Sequence, residues 1–147
     1  MPQSIFVNLP VADLPRARAF YAGLGLAFDE RFSDDTAACV VVSEAIFLML
    51  LTRPRFEGFA PRPVGDPAQA TSVLVCLSRE SREAVDAFVE AGLGAGGTDN
   101  HKVQDLGDAM YARSLSDPDG NVIEVVWMDV ARMAPKLAAE IDAAVDA

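Results

Sequence analysis

The chain has 147 residues, 51% of them hydrophobic, and a net charge of −10. That length suits one domain with its own core, and the composition excludes a disordered chain. The acidic balance excludes a nucleic-acid partner, which needs a basic face, and no run approaches the roughly 20 apolar residues of a membrane helix.

The first elements follow directly from residue spacing. Ile5 to Val11 reads as a strand, and Asp13 is placed to cap a helix with Pro15 in its first turn. Leu14, Ala17, Phe20, Tyr21 and Leu24 recur at helical spacing, and Gly23 and Gly25 end the run. Three strands are expected next, over 27–32, 37–43 and 46–51, the last two joined by a turn at Ser43–Ala45. The proline-rich stretch from Pro54 to Pro67 reads as an irregular connector or a lid over a cavity.

The plan then repeats. Ser72 to Leu77 is a strand, Ser81 an N-cap, and Val85, Phe88, Val89 and Leu93 a helical stripe. The stretch from Thr98 to Asp108 is poorly defined, with room for one short strand. Met110–Leu115 and Val122–Met128 are the final strands, joined by the turn Asp117-Pro118-Asp119-Gly120-Asn121. Residues 130–147 form an Ala-rich helix whose Met133, Leu137, Ile141 and Val145 share a face, for packing on the domain or on a second subunit. The order is βαβββ, connector, βαβββ. Its fold class is α+β: two modules (about 1–58 and 70–129) making a curved mixed sheet around a cleft, within a single domain over 1–129.

Two features bear on chemistry. Cys39 and Cys76 lie in apolar runs and read as small core residues, which fits a reducing, cytoplasmic setting, as does the absence of a basic, apolar leader. Glu124 is one carboxylate inside an apolar strand, where it is costly unless paired or wetted. Three roles stand open for it: an acid hydrogen-bonded to Asn8 or Ser72, an anchor for a ligand, or a general acid/base. His101 lies in a polar connector and reads as a solvated loop histidine.

Leu9-Pro10-Val11-Ala12-Asp13-Leu14, Ala19-Phe20-Tyr21, Leu24-Gly25-Leu26 and the Asp117–Asn121 turn running into Glu124 together resemble the glyoxalase/bleomycin-resistance/dioxygenase superfamily, also called the vicinal oxygen chelate fold. The resemblance implies a ligand cleft and, in metal-using members, a divalent ion held by residues of four strands. Those positions here are Phe6, Met49, Ser72 or Leu74, and Glu124, of which only Glu124 is a competent ligand. No metal and no cofactor are therefore expected. Strand alternation and the family phase place Phe6, Asn8, Phe47, Met49, Leu51, Ser72, Leu74, Cys76, Ala112, Ser114 and Glu124 on the cleft side. Of these, Phe6, Asn8, Phe47, Met49, Ser72, Leu74, Ser114 and Glu124 are the ligand-binding candidates, with Glu124 the candidate catalytic group. The expected function is metal-free binding of an unidentified small amphipathic molecule by a homodimer. The alternative is a glyoxalase-like lyase or isomerase using Glu124.

Overall fold

The computed structural model describes residues 2–146. The first module is strand β1 (Ile5–Val11), helix α1 (Leu14–Gly23), and strands β2 (Ala27–Phe28), β3 (Ala37–Val41) and β4 (Ile46–Thr52). A short helix α2 (Arg53–Phe59) opens the connector. The second module is β5 (Leu74–Ser78), α3 (Arg82–Gly94), β6 (Thr98–Asp105), β7 (Met110–Ser116) and β8 (Val122–Met128), followed by helix α4 (Val130–Asp146). Each module builds one four-stranded mixed sheet, in the orders β1-β4-β3-β2 and β5-β8-β7-β6. β1 runs parallel to β4 and β5 parallel to β8; the other pairings are antiparallel. Two open four-stranded halves thus take the place of one continuous sheet.

Both helices start where the sequence places a cap. The Asp13 carboxylate accepts from the Arg16 backbone N–H at 3.0 Å, and Ser81 Oγ from that of Ala84 at 3.0 Å. The helix-facing side of each sheet is apolar and buried. Leu9, Val11, Leu48 and Leu50 from one sheet and Leu77, Leu115, Ile123 and Val125 from the other join Phe20, Tyr21, Phe88 and Val89 of the helices in one core. Each large side chain so buried contributes about 1.5–3 kcal/mol. Gly92 of α3 packs tightly between β7 and the end of α1: a Cβ there would lie 2.3 Å from Leu115 Cδ1 and 2.9 Å from Leu24 Cδ2.

Several elements differ from expectation. The strand expected over 27–32 stops at Phe28, because Asp29 caps a 3-10 turn over Glu30–Phe32. The fifth strand starts at Leu74, so Ser72 precedes it. Thr98–Asp108 contains a full eight-residue strand rather than a short one. Cys39 is buried as expected, whereas Cys76 is exposed because it points away from the helices. In α4, Met133 is half-buried, but Ile141 (56% exposed) and Val145 (77%) have no cover from the domain; the side chain of Leu137 lies outside the described residues.

Candidate functional site

The two modules are fastened by the Asp117–Asn121 turn. Asp117 is buried, and its Oδ2 accepts from the Tyr21 hydroxyl at 2.8 Å and from Asn121 Nδ2 at 2.9 Å. Its Oδ1 accepts from the backbone N–H of Asp119 and of Asn121, each at 2.9 Å. Asn121 Nδ2 also donates to the Pro10 carbonyl at 3.1 Å. Asp119 Oδ1 accepts from the Ala12 N–H at 2.8 Å and from Arg16 at 3.0 Å. Burial pushes the Asp117 carboxyl above its ordinary range even though these hydrogen bonds act in the opposite direction. Burial and the neighbouring Asp117 likewise drive the Tyr21 phenol well up. Hence the motif that dominates the sequence is a joint between modules as well as a turn into β8.

Beside this joint lies a cavity of about 180 Å3. Asn8 and Pro10 of β1, Val122 at the start of β8, and Gly120 line one side. The connector supplies the other, through Phe56 of α2, Val64, Pro67, Thr71 and Ser72. The connector is held down by Arg53, whose guanidinium donates to the Val64 carbonyl at 2.8 Å, and by close packing on Gly120. The walls are mainly apolar, with the Asn8 amide and the Thr71 and Ser72 hydroxyls as the polar minority.

The sheet faces turned away from the helices carry the remaining candidates. Phe6 and Phe47 stack at 4.7 Å between centroids with an 11° interplanar angle, and Phe6 is still 53% exposed. Met49 is paired with Asn8 on one side and Cys39 on the other. On the second sheet Glu124 pairs with Cys76 of β5 and Ser114 of β7. Leu74 is 58% exposed. Ile123, Val125 and Trp127 face the core, and Tyr111 and Arg113 reach Asp86 on α3. The structure therefore brings Asn8 to Ser72, Phe6 to Phe47, and Ser114 to Glu124, in three places rather than one. Glu124 does not meet Asn8 or Ser72, so the hydrogen bond considered for it is absent. Ser114 Oγ accepts from Asn100 Nδ2 at 2.9 Å instead.

Glu124 lines a separate open depression of about 320 Å3 together with His101, Lys102, Val103, Gln104, Ala112 and Arg113. Sequence reasoning missed these neighbours on β6 because the strand carries a β-bulge between Asp99 and Val103. His101 sits in the left-handed region, with φ 56°, so the chain departs from the alternation that marks a strand. The local signal was Asp99-Asn100, residues that hydrogen-bond nearby backbone and so favour irregular turns.

Residues 3–43 match the bleomycin resistance protein-like N-terminal family. A glyoxalase/bleomycin resistance protein/dioxygenase family enzyme from Burkholderia phytofirmans PsJN superposes with a TM-score of 0.71, at 19% identity over 87% of this chain and 100% of the other. A glyoxalase/bleomycin resistance protein from Albidiferax ferrireducens T118 gives 0.64, at 25% identity over 84% and 97%. The chain thus has the fold of the glyoxalase/bleomycin-resistance/dioxygenase proteins, and its first module carries the match to the bleomycin resistance protein-like N-terminal family. A lactoylglutathione lyase from Agrobacterium tumefaciens also shares the fold, with a TM-score of 0.64 at 21% identity over 86% and 95%. No curated protein matches the sequence.

The resemblance implies a divalent ion in metal-using relatives, and the residues at the corresponding positions decide whether this chain fits one. Phe6, Met49 and Leu74 offer no hard donor beside Glu124, and the residues paired with Glu124 are a thiol and a hydroxyl. Partial desolvation, despite the exposure of the residue as a whole, and the neighbouring Glu124 carboxylate push the Cys76 thiol up. Among the described residues no three His, Cys, Asp or Glu side chains converge as a metal-binding group. These positions do not fit the superfamily's metal.

Proposed function

We propose that this protein binds a small amphipathic molecule without a metal, its apolar part entering the cavity at the module junction. The observation that carries the reading is the composition of that cavity: apolar walls from Pro10, Phe56, Val64 and Val122, with Asn8, Thr71 and Ser72 able to orient a polar end. Apolar walls with a few directional groups are the usual make-up of a small-molecule site. The exposed Phe6–Phe47 pair extends the apolar surface across the first sheet. A homodimer that covers the open sheet faces accords with their exposure, and sedimentation velocity at two concentrations tests it. The ligand test is a calorimetric screen of aromatic and aliphatic amphiphiles on wild type and on Val64→Trp, which fills the cavity. Binding that survives Val64→Trp unchanged defeats the proposal.

A second reading is an isomerase or lyase with Glu124 as general base. Its support is that, among the described residues, the Glu124 carboxylate takes no hydrogen bond or ion pair and faces an open depression. Turnover retained in Glu124→Gln would eliminate it.

A further inference from the structure

The depression around Glu124 is bordered by a bulge that side-chain hydrogen bonds hold in place. The β6 bulge is pinned from both sides of His101. Asp99 Oδ1 accepts from the His101 backbone N–H at 2.8 Å, while Asp99 Oδ2 takes Arg113 at 3.0 Å. Asn100 donates to Ser114 Oγ at 2.9 Å and accepts from Ser116 Oγ at 2.9 Å, locking the bulge onto β7. This framework sets His101, Lys102 and Gln104 of β6 around the same depression as Glu124, with Arg113 of β7 also in its lining.

The charges there are unspent. Arg113 is saturated by Asp86, Glu90 and Asp99, and Arg82 is bound to Asp105. By contrast, among the described residues neither Glu124 nor Lys102 has an ion-pair partner, and the two hydroxyl and thiol neighbours of Glu124 leave its charge unneutralised. Ser114 is already engaged by Asn100. With Arg113 held by its own carboxylates, Glu124 on a central strand and Lys102 on the bulged strand are, among the described residues, the unpaired anion and cation lining the depression, which matches a ligand with the opposite arrangement.

We propose that this depression is a binding site for a small zwitterion, a molecule with a primary amine for Glu124 and a carboxylate for Lys102, with Gln104 and His101 as hydrogen-bonding partners. Charged partners in such a half-shielded setting make stronger hydrogen bonds than neutral ones. The site uses none of the residues that line the junction cavity, so the two readings stand or fall separately.

The test is calorimetric titration with a series of ω-amino carboxylates of two to six carbons, beside n-butylamine and butyrate as half-molecules. At least one member of the series should saturate and bind ten times more tightly than either half-molecule. Glu124→Gln and Lys102→Met should each weaken it at least tenfold, while Glu44→Gln in the distant Ser43–Ala45 turn should not. Amide chemical-shift mapping on the wild type, which needs no variant to fold, should place the largest changes at His101, Lys102, Gln104 and Glu124. Equal binding of butylamine alone, no saturable binding of any member, or shifts confined elsewhere overturns the proposal.

Discussion

The phenol of Tyr21, on the first module's helix, donates to the buried carboxylate of Asp117, 96 residues later, at 2.8 Å. That bond joins the two modules at the point where β1 ends and β8 begins, beside the Asn121–Pro10 bond. Tyr21→Phe leaves Asp117 Oδ2 with Asn121 as its one remaining partner and should lower unfolding free energy by about 1–2 kcal/mol. Asp117→Ala removes four accepted bonds and strands the Tyr21 hydroxyl, so its loss should be larger. Urea unfolding of both single variants and of the double checks this, with coupling between the two sites as the signature of a direct bond.

Acid should act on the molecule through two groups of carboxylates with opposite sign. Hydrogen bonding to Arg82 holds Asp105 down to about 2, the Tyr111 hydroxyl lowers Asp86, and the His101 backbone N–H lowers Asp99. A carboxyl with a depressed folded pKa stabilises the fold above its ordinary value of 3.8, and that stabilisation is lost as pH falls toward 2. Asp117 runs the other way: its raised value means the folded state gains stability as pH falls through that value toward 3.8. Unfolding midpoints measured from pH 7 to pH 2 should therefore fall most steeply below about pH 4. Arg82→Met should flatten that drop, and Asp117→Asn should remove any rise that precedes it.

Much of this fold is legible in the sequence because its signals are local. The helix caps Asp13 and Ser81, the helical stripes, and the alternation in Val122–Met128 each follow from one period or one hydrogen bond. The site is less legible because it depends on partners far apart in sequence. Nothing near Asp117 announces Tyr21 or Pro10, and nothing near Glu124 announces His101. The bulge that brings His101 to Glu124 breaks the very alternation by which strands are read. Likewise α2 hides in the proline-rich connector, where Pro54 is tolerated in a first turn that needs no N–H at that position.

Gly120 offers a sharp test of the joint between the turn and the connector. Its φ of +95° is one that side-chain-bearing residues rarely adopt, and a Cβ there would lie 2.7–2.8 Å from backbone atoms of Ala68 and Pro67. Gly120→Ala meets both penalties at once, the backbone strain alone costing about 1–3 kcal/mol. The connector must also move off the turn, which opens the junction cavity. We expect a lower unfolding midpoint, together with faster proteolytic cleavage between Pro61 and Ala70 than in wild type. A variant as resistant as wild type would show that the connector is not held at this contact.

The open face and the core should respond differently to loss of a large apolar side chain. Leu50, on β4, is fully buried between sheet and helices, and Leu50→Ala should cost about 2–5 kcal/mol through lost burial and the cavity left behind. Phe6, on the adjacent strand, keeps half its surface in water, and its stacking on Phe47 is worth about 0.5–1.5 kcal/mol. Phe6→Ala should therefore shift the unfolding midpoint by less than half as much as Leu50→Ala. If the open face serves the amphipathic ligand proposed above, the same Phe6→Ala change should weaken ligand binding more than it weakens the fold. Paired denaturation and calorimetry on the one variant separate these two effects. A loss of stability as large as that of Leu50→Ala would mean that Phe6 belongs to a core element, and that its exposure has no bearing on binding.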